Sequence, residues 1–268
     1  MIRDITIGQY YPAKSVLHRL DPRVKLVGTL LYLISLFLFN SIPGYVMTTL
    51  FLILVIRISK VPFSFIVRGL KPVIMLLMIT VLFNLFLTRD GAVLFHAWIF
   101  TITEGGLRTA VYMAIRLIYL IIGSSLMTFT TTPNELTDGI EELLGPLNKI
   151  RVPVHEIAMI MSIALRFIPI LLEETDKIMK AQIARGADFE NGNLIQKVKN
   201  MVPLLVPLFI SAFRRANDLA MAMEARCYHG GDNRTQMKPL KYKKRDHIAY
   251  LILFAYLAVA IGFRVAGL

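Results

Sequence analysis

Four stretches of this chain carry almost no charge: "LVGTLLYLISLFLFNSI" (26–42), "GYVMTTLFLILVI" (44–56), "VIMLLMITVLFNLFL" (73–87) and "HIAYLILFAYLAVAIGF" (247–263). A helix that spans a bilayer needs about 20 mostly apolar residues, because the hydrocarbon core is about 30 Å thick and each helical residue rises about 1.5 Å. The first, third and fourth stretches meet this with their flanks, and the second does so when continued through Arg57 and Ile58. Such a chain folds as a polytopic membrane protein. Composition agrees, since 56% of the 268 residues are hydrophobic, above the roughly 45–50% of soluble domains.

The opening "MIRDITIGQYYPAKSVLHRLDPRVKL" has no apolar core behind its charges, so it is not expected to act as a signal peptide. Insertion is expected through the first spanning helix. The single cysteine, Cys227, excludes an internal disulfide and a thiolate-rich metal site. The five histidines form no HExxH pattern. No metal and no cofactor is expected. A net charge of +12 can signify nucleic-acid binding, but its placement argues otherwise. Arg57, Lys60, Arg68 and Lys71 flank one loop, and Lys238, Lys241, Lys243, Lys244 and Arg245 crowd the approach to the last apolar stretch. These are juxtamembrane positions, where cytoplasmic loops collect Lys and Arg. A nucleic-acid or lipid-headgroup site is the lesser reading.

Lys14, Arg19, Arg23 and Lys25 place residues 1–24 in the cytoplasm. Asp21-Pro22 is a helix start, an N-cap carboxylate followed by a proline whose missing N–H costs nothing there. Residues 25–132 hold four spans, the third leaving near Arg89-Asp90 and the fourth covering 106–132. Between them, "GAVLFHAWIFTITEG" (91–105) alternates β-branched and aromatic residues between glycines and reads as a hairpin or re-entrant segment. Residues 133–245 differ in character. "TPNE" (132–135) is a capping-box pattern that starts a short amphipathic helix to about Leu144. Two long helices follow, about 153–185 and 194–226, with "ADFENGNL" between them and the turn "HGGDN" after the second. Each joins a short apolar run (157–172, 201–213) to a charged half. At roughly 45–50 Å they exceed the ~30 Å core, which fits helices at or beneath the membrane that lead to a soluble partner better than two more spans. Residues 246–268 form the last span, and five spans from an inside start place the C-terminus outside.

Both long helices close on alanine, arginine and a small residue: Ala184-Arg185-Gly186 in "AQIARGADF" and Ala225-Arg226-Cys227 in "AMEARCYHG". For one such tripeptide, a helix cap is explanation enough. Arginine meets the negative end of the macrodipole, and glycine beyond it takes the left-handed position. Two occurrences point further. The small neighbours leave each guanidinium free to enter a partner's groove, where its planar fork suits carboxylates and backbone carbonyls. Two similar tips suggest two similar docking sites on a dimeric or pseudo-dimeric partner.

These motifs, with "SVLHRLDPRVKL" (15–26), "TTTPNEL" (130–136) and "ALRFIPILLEE" (164–174), resemble the transmembrane scaffold, or T component, of energy-coupling-factor transporters, in order over nearly the whole chain. The resemblance implies an all-α polytopic membrane protein with about five transmembrane helices and a cytoplasmic helical domain, 133–245, built on two long coupling helices. It implies a non-catalytic scaffold joining two ABC-type ATPase subunits to a small membrane subunit that captures a vitamin or other micronutrient. Arg185 and Arg226, with Ala184, Gly186, Ala225 and Cys227 around them, would then insert into grooves of the two ATPases. The helices carrying them would support the membrane subunit, with Leu205 and Leu208 in the contact. Family members often carry glycine where Cys227 stands.

Arg116 lies within the fourth span with Arg108 on the same face. A charge there costs about 2.5–3.5 kcal/mol on insertion scales and faces protein or water. Contact with the membrane partner and internal pairing are equally open, with Glu104 a candidate for the latter. Asp138, Glu141, Glu142, Glu173, Glu174 and Asp176 read as solvated or helix-pairing acids. No GxxxxGK[ST] loop is present, so the chain is not expected to bind ATP itself. The permease of a conventional ABC importer is an alternative that predicts one coupling helix per subunit. A polytopic membrane transferase is another, resting on hydrophobicity alone. Lipid is expected around the spans, and nucleic acid is not expected as a partner.

Overall fold

Asp21 and Pro22 start the first helix as their chemistry dictates. In the computed structural model, which describes residues 10–88, 92–97, 100–187, 189, 193–230 and 237–265, α1 runs Pro22–Ser35 with the Asp21 carboxylate accepting from the Arg23 N–H. Then come α2 (Ile42–Ser59), α3 (Phe63–Leu70), α4 (Ile74–Leu87), β1 (Val93–Ala97), β2 (Phe100–Thr103) and α5 (Glu104–Thr130). The chain continues as α6 (Pro133–Leu144), α7 (Val154–Ala184), α8 (Leu194–Ala225) and α9 (Lys244–Val265). The capping box expected at "TPNE" is present and reciprocal: Thr132 N–H donates to Glu135 Oε2, and Glu135 N–H donates to Thr132 Oγ1, each at 3.3 Å. The described residues fall into two compact units, those within 8–139 and 240–268 and those within 140–239.

In the first unit α1, α2, α5 and α9 share a core that includes Tyr32, Leu36, Leu52, Leu126 and Tyr256. Aromatic rings and hydroxyls bind these helices together. Phe51 stacks on Tyr256 at 4.3 Å between centroids, and the Tyr256 hydroxyl meets Ser35 Oγ at 3.0 Å and Thr48 Oγ1 at 3.1 Å. Lipid is as apolar as leucine, so such packing and interhelical hydrogen bonds hold a membrane bundle together where burial alone cannot. Val93–Ala97 and Phe100–Thr103, in the segment expected to be a hairpin or re-entrant, form an antiparallel pair with Phe95 opposite Ile102 and Ala97 opposite Phe100. Thr103 then caps α5 by accepting from the Gly106 N–H while its hydroxyl donates to Thr88 O at 3.0 Å.

Five helices among the described residues are long and apolar enough to cross a membrane: Ile42–Ser59, Phe63–Phe86, Glu104–Thr130, Val154–Ala184 and Lys244–Val265. The protein is thus an all-α polytopic membrane protein in its overall character, with one small hairpin. The set differs from the sequence expectation in two members. The apolar run 26–42 is not one helix. α1 ends at Ser35 after 14 residues, about 21 Å and short of the ~30 Å core, and the chain turns through 36–40 before α2. Conversely, α7 continues unbroken through Pro169 for 31 residues, so it meets the length and composition of a span that the run 157–172 alone does not. The basic segment 57–71 is also more ordered than a loop. Only Lys60–Pro62 separates α2 from α3, and α3 leads into α4 through a 3-10 turn at Lys71–Val73. The exit at Arg89-Asp90 lies outside the described residues, as do parts of the segments 187–194 and 229–233.

In the second unit α7 and α8 lie antiparallel. Gln182 Nε2 donates to Pro203 O at 3.3 Å at one end of their contact. At the other, Glu174 accepts from Ser211 and, at 2.9 Å, from Arg215 Nη2.

Candidate functional site: two arginine-tipped helix ends

The last turns of α7 and α8 are copies of one another. At the end of α7, Arg185 is the C-cap, Gly186 N–H donates to Ile183 O at 2.9 Å and Ala187 N–H donates to Gln182 O at 3.0 Å. At the end of α8, Arg226 is the C-cap, Cys227 N–H donates to Glu224 O at 2.9 Å and Tyr228 N–H donates to Met223 O at 3.0 Å. This pair of bonds, one spanning six residues and one four, is the Schellman ending, which satisfies carbonyls that a helix leaves open. It requires a left-handed residue directly after the cap. Gly186 takes φ +88° and Cys227 takes φ +57°.

A left-handed conformation is open to glycine and costs other L-residues about 1–2 kcal/mol. Cys227 therefore holds the same ending against a backbone penalty. Cys227→Gly is expected to raise the local stability of the last turn of α8 by about 1 kcal/mol. Hydrogen exchange of the amides at 224–228 measures it, and faster exchange in the variant would contradict the assignment.

Ala184, Arg185, Gly186, Ala225, Arg226 and Cys227 are all exposed. Neither guanidinium has a hydrogen-bond or ion-pair partner among the described residues of the chain. Because α7 and α8 are antiparallel, the tips leave opposite ends of the paired segment. Arg185 follows shortly after Gln182, whereas α8 runs about 15 Å past Arg215 before reaching Arg226. The arrangement presents two separate exposed cations on one backbone geometry.

The other sequence candidates fall in different places. Leu205 is 41% exposed, on a stripe with Ile195, Val198, Val202, Phe209 and Phe213, all exposed and spaced by three or four residues. Leu208 is half-buried and belongs to the neighbouring stripe of Leu204, Ser211 and Arg215, whose last two members bond to α7. Arg116 is buried and turned inward. Its Nη2 donates to Asn40 Oδ1 and to Phe39 O at 3.4 Å, and its guanidinium lies 5.3 Å from the Phe37 ring centroid. It therefore braces the turn that ends α1, and its side-chain partner within the described residues is Asn40.

A polar cluster that sequence reading missed joins the starts of α1 and α9. Asp246, 1% exposed, accepts from the Asp21 N–H at 3.0 Å and the Lys243 N–H at 2.8 Å. Asp21 takes a forked pair from Arg23 Nε and Nη2, both at 3.0 Å. The Arg23 guanidinium lies 4.0 Å from the Tyr242 ring centroid, and Lys25 Nζ donates to Thr130 O at 2.8 Å. Arg23 and Lys25 read as topology-setting surface cations; both are buried. The only hint is the density of charge in "HRLDPRVK" and "KKRD", which names no pairing.

A bundle of apolar helices together with a pair of long, arginine-tipped helices defines a polytopic α-helical membrane protein. Residues 13–237 match the protein family described as Cobalt transport protein. The Energy-coupling factor transporter transmembrane protein of Clostridium kluyveri is 57% identical over 266 residues, covering 99% of this chain and 98% of that one. The protein of the same name from Bacillus subtilis is 49% identical over 259 residues, covering 96% and 98%. That from Lactococcus lactis is 44% identical over 247 residues, covering 92% and 93%. The chain belongs to this family, the transmembrane components of energy-coupling factor transporters.

Proposed function

We propose that this chain is the non-catalytic scaffold of an ATP-driven importer of vitamins or other micronutrients. Two ABC-type ATPase subunits dock on its two arginine tips, and a small substrate-binding membrane subunit rides on the α7–α8 pair. The observation that carries this reading is the duplicated Schellman ending with a free arginine at each cap. One tip would be an ordinary helix stop, but two of identical geometry at opposite ends of a helix pair match a two-fold or pseudo-two-fold motor. ATP hydrolysis then belongs to the partners and force passes through α7 and α8. The basic residues flanking the spans, and the tips with them, face the cytoplasm. Copurification with tagged ATPases tests the assembly. One copy of this chain per two ATPase chains is expected, and two copies per complex would instead favour a conventional homodimeric permease.

The exposed stripe on α8 supplies the seat for the membrane subunit. Leu205→Asp introduces a charge where an apolar contact forms, removing burial worth about 1.5–3 kcal/mol and adding a desolvation cost. The substrate-binding subunit is expected to be lost at least tenfold more readily on purification, while the ATPases remain. Leu208→Asp instead strikes the α7–α8 contact and is expected to weaken both. Loss of the ATPases with retention of the membrane subunit in Leu205→Asp would refute the assignment.

A further inference from the structure

Between α1, α2, α5 and α9 lies a cavity of about 230 Å³. The Asp21–Asp246 bond and the packing of Gly28 against Leu253 show that α1 and α9 run parallel, with their first turns at the same end. A Cβ on Gly28 would lie 2.8 Å from Leu253 Cδ1, so the two helices are close there. The cavity extends from Lys25 and Arg245, in those first turns, to Tyr32 and Leu253, a depth of about 10 Å. Its lining is apolar almost throughout, with Leu20, Leu52, Leu126, Ile252 and Leu253 in it, and its two cations, Lys25 and Arg245, belong to the first turns of α1 and α9.

Those cations have unused capacity. Lys25 Nζ donates to Thr130 O at 2.8 Å and His18 O at 3.3 Å, which leaves one of its three N–H groups. Arg245 is half-buried, and its Nε is buried with no hydrogen-bond partner among the described residues. The acids at this end are already engaged. Asp21 holds Arg23, Asp246 holds two backbone N–H groups, and Glu135 caps α6. Lys241, Lys243 and Lys244 add positive charge at the start of α9.

We propose that this cavity holds one acyl chain of an anionic phospholipid whose phosphate is bound at the mouth by Arg245 together with Lys25. Helix starts of spanning segments lie at headgroup depth, where basic residues attract anionic lipid. A guanidinium N–H without an acceptor, an ammonium with a free N–H and an apolar slot beneath them match a phosphodiester above a hydrocarbon chain. The inference rests on the membrane bundle alone and stands independently of the docking of ATPases.

The full-length chain, purified with its copurifying subunits, is incubated with phosphatidylglycerol or phosphatidylcholine of identical chains and examined by native mass spectrometry. Wild type is expected to retain one phosphatidylglycerol about tenfold more often than phosphatidylcholine, the scale of a charge-assisted hydrogen bond. Arg245→Gln brings the two lipids within about twofold of each other. Ala249→Phe fills the cavity and reduces both, and Thr29→Leu, a smaller filling from the opposite wall, replaces it if that variant does not assemble. Excess inorganic phosphate leaves the bound lipid in place. Equal retention of the two lipids by wild type would overturn the proposal, as would full occupancy in the cavity-filled variant. Displacement of the lipid by phosphate, or crosslinking of the Ala249→Cys variant to a protein subunit rather than to lipid, would overturn it too.

Discussion

The double variant Arg185→Ala/Arg226→Ala is expected to insert in the membrane normally, to lose the ATPases on purification, and to support no substrate uptake. Hydrogen bonds to charged groups contribute about 1.5–3 kcal/mol each, so one alanine substitution weakens docking roughly tenfold or more and two compound the loss. Geometry matters beyond charge. Lysine keeps the cation but offers a point charge in place of a planar fork. Arg185→Lys and Arg226→Lys are therefore expected to be impaired, yet less than the glutamate substitutions, which reverse the sign. Either arginine already sits at a helix C-terminus, where a cation gains about 0.3–1 kcal/mol from the macrodipole. That gain is too small to account for lost uptake, so uptake separates docking from capping. Copurification and uptake of the single and double variants are the measurements. Full uptake by the double variant would leave helix capping as the sole role of both residues.

The parts of the fold written in local chemistry are legible in the sequence. Asp21-Pro22 and "TPNE" announce helix starts because their side chains bond to backbone N–H groups two or three residues away, and both do so. The ends of α7 and α8 at Ala184 and Ala225 follow from one tripeptide read twice. Long-range bonds are not legible in the same way. Nothing in "SLFLFN" marks the break after Ser35, because the Phe39 carbonyl and the Asn40 side chain are bound there by Arg116, far along the chain. Leu208 and Leu205 look alike in sequence. Only the register of α8 on α7, set by Glu174 with Ser211 and Arg215, puts one half inside and the other outside.

The buried carboxylate of Asp246 carries the largest expected effect on stability. One oxygen accepts from the N–H of Asp21, the N-cap residue of α1, and the other from the N–H of Lys243, directly before α9. A single side chain thus satisfies orphan donors at the starts of two helices, one of those donors 225 positions away from it. The second bond is the backward half of a capping box, an acid in the first turn reaching the N-cap amide. Asp246→Ala leaves the buried Asp21 donor without an acceptor, at about 1–3 kcal/mol, strips the part-buried Lys243 donor of its cap, and leaves the nearby Arg23 and Lys25 less balanced. A loss of about 2–5 kcal/mol is expected. Asp246→Asn keeps the shape but turns an amide NH₂ toward one of the donors, so it is expected to recover only part of the loss. Thermal unfolding of the purified chain with its subunits in one detergent measures the series, and the expected order of stability is wild type, then Asn, then Ala. Because the cluster holds α1 to α9 and touches neither arginine tip in sequence, the assembled fraction of Asp246→Asn is expected to keep its ATPases. An alanine variant as stable as wild type would show that the joint between α1 and α9 is held by apolar packing alone.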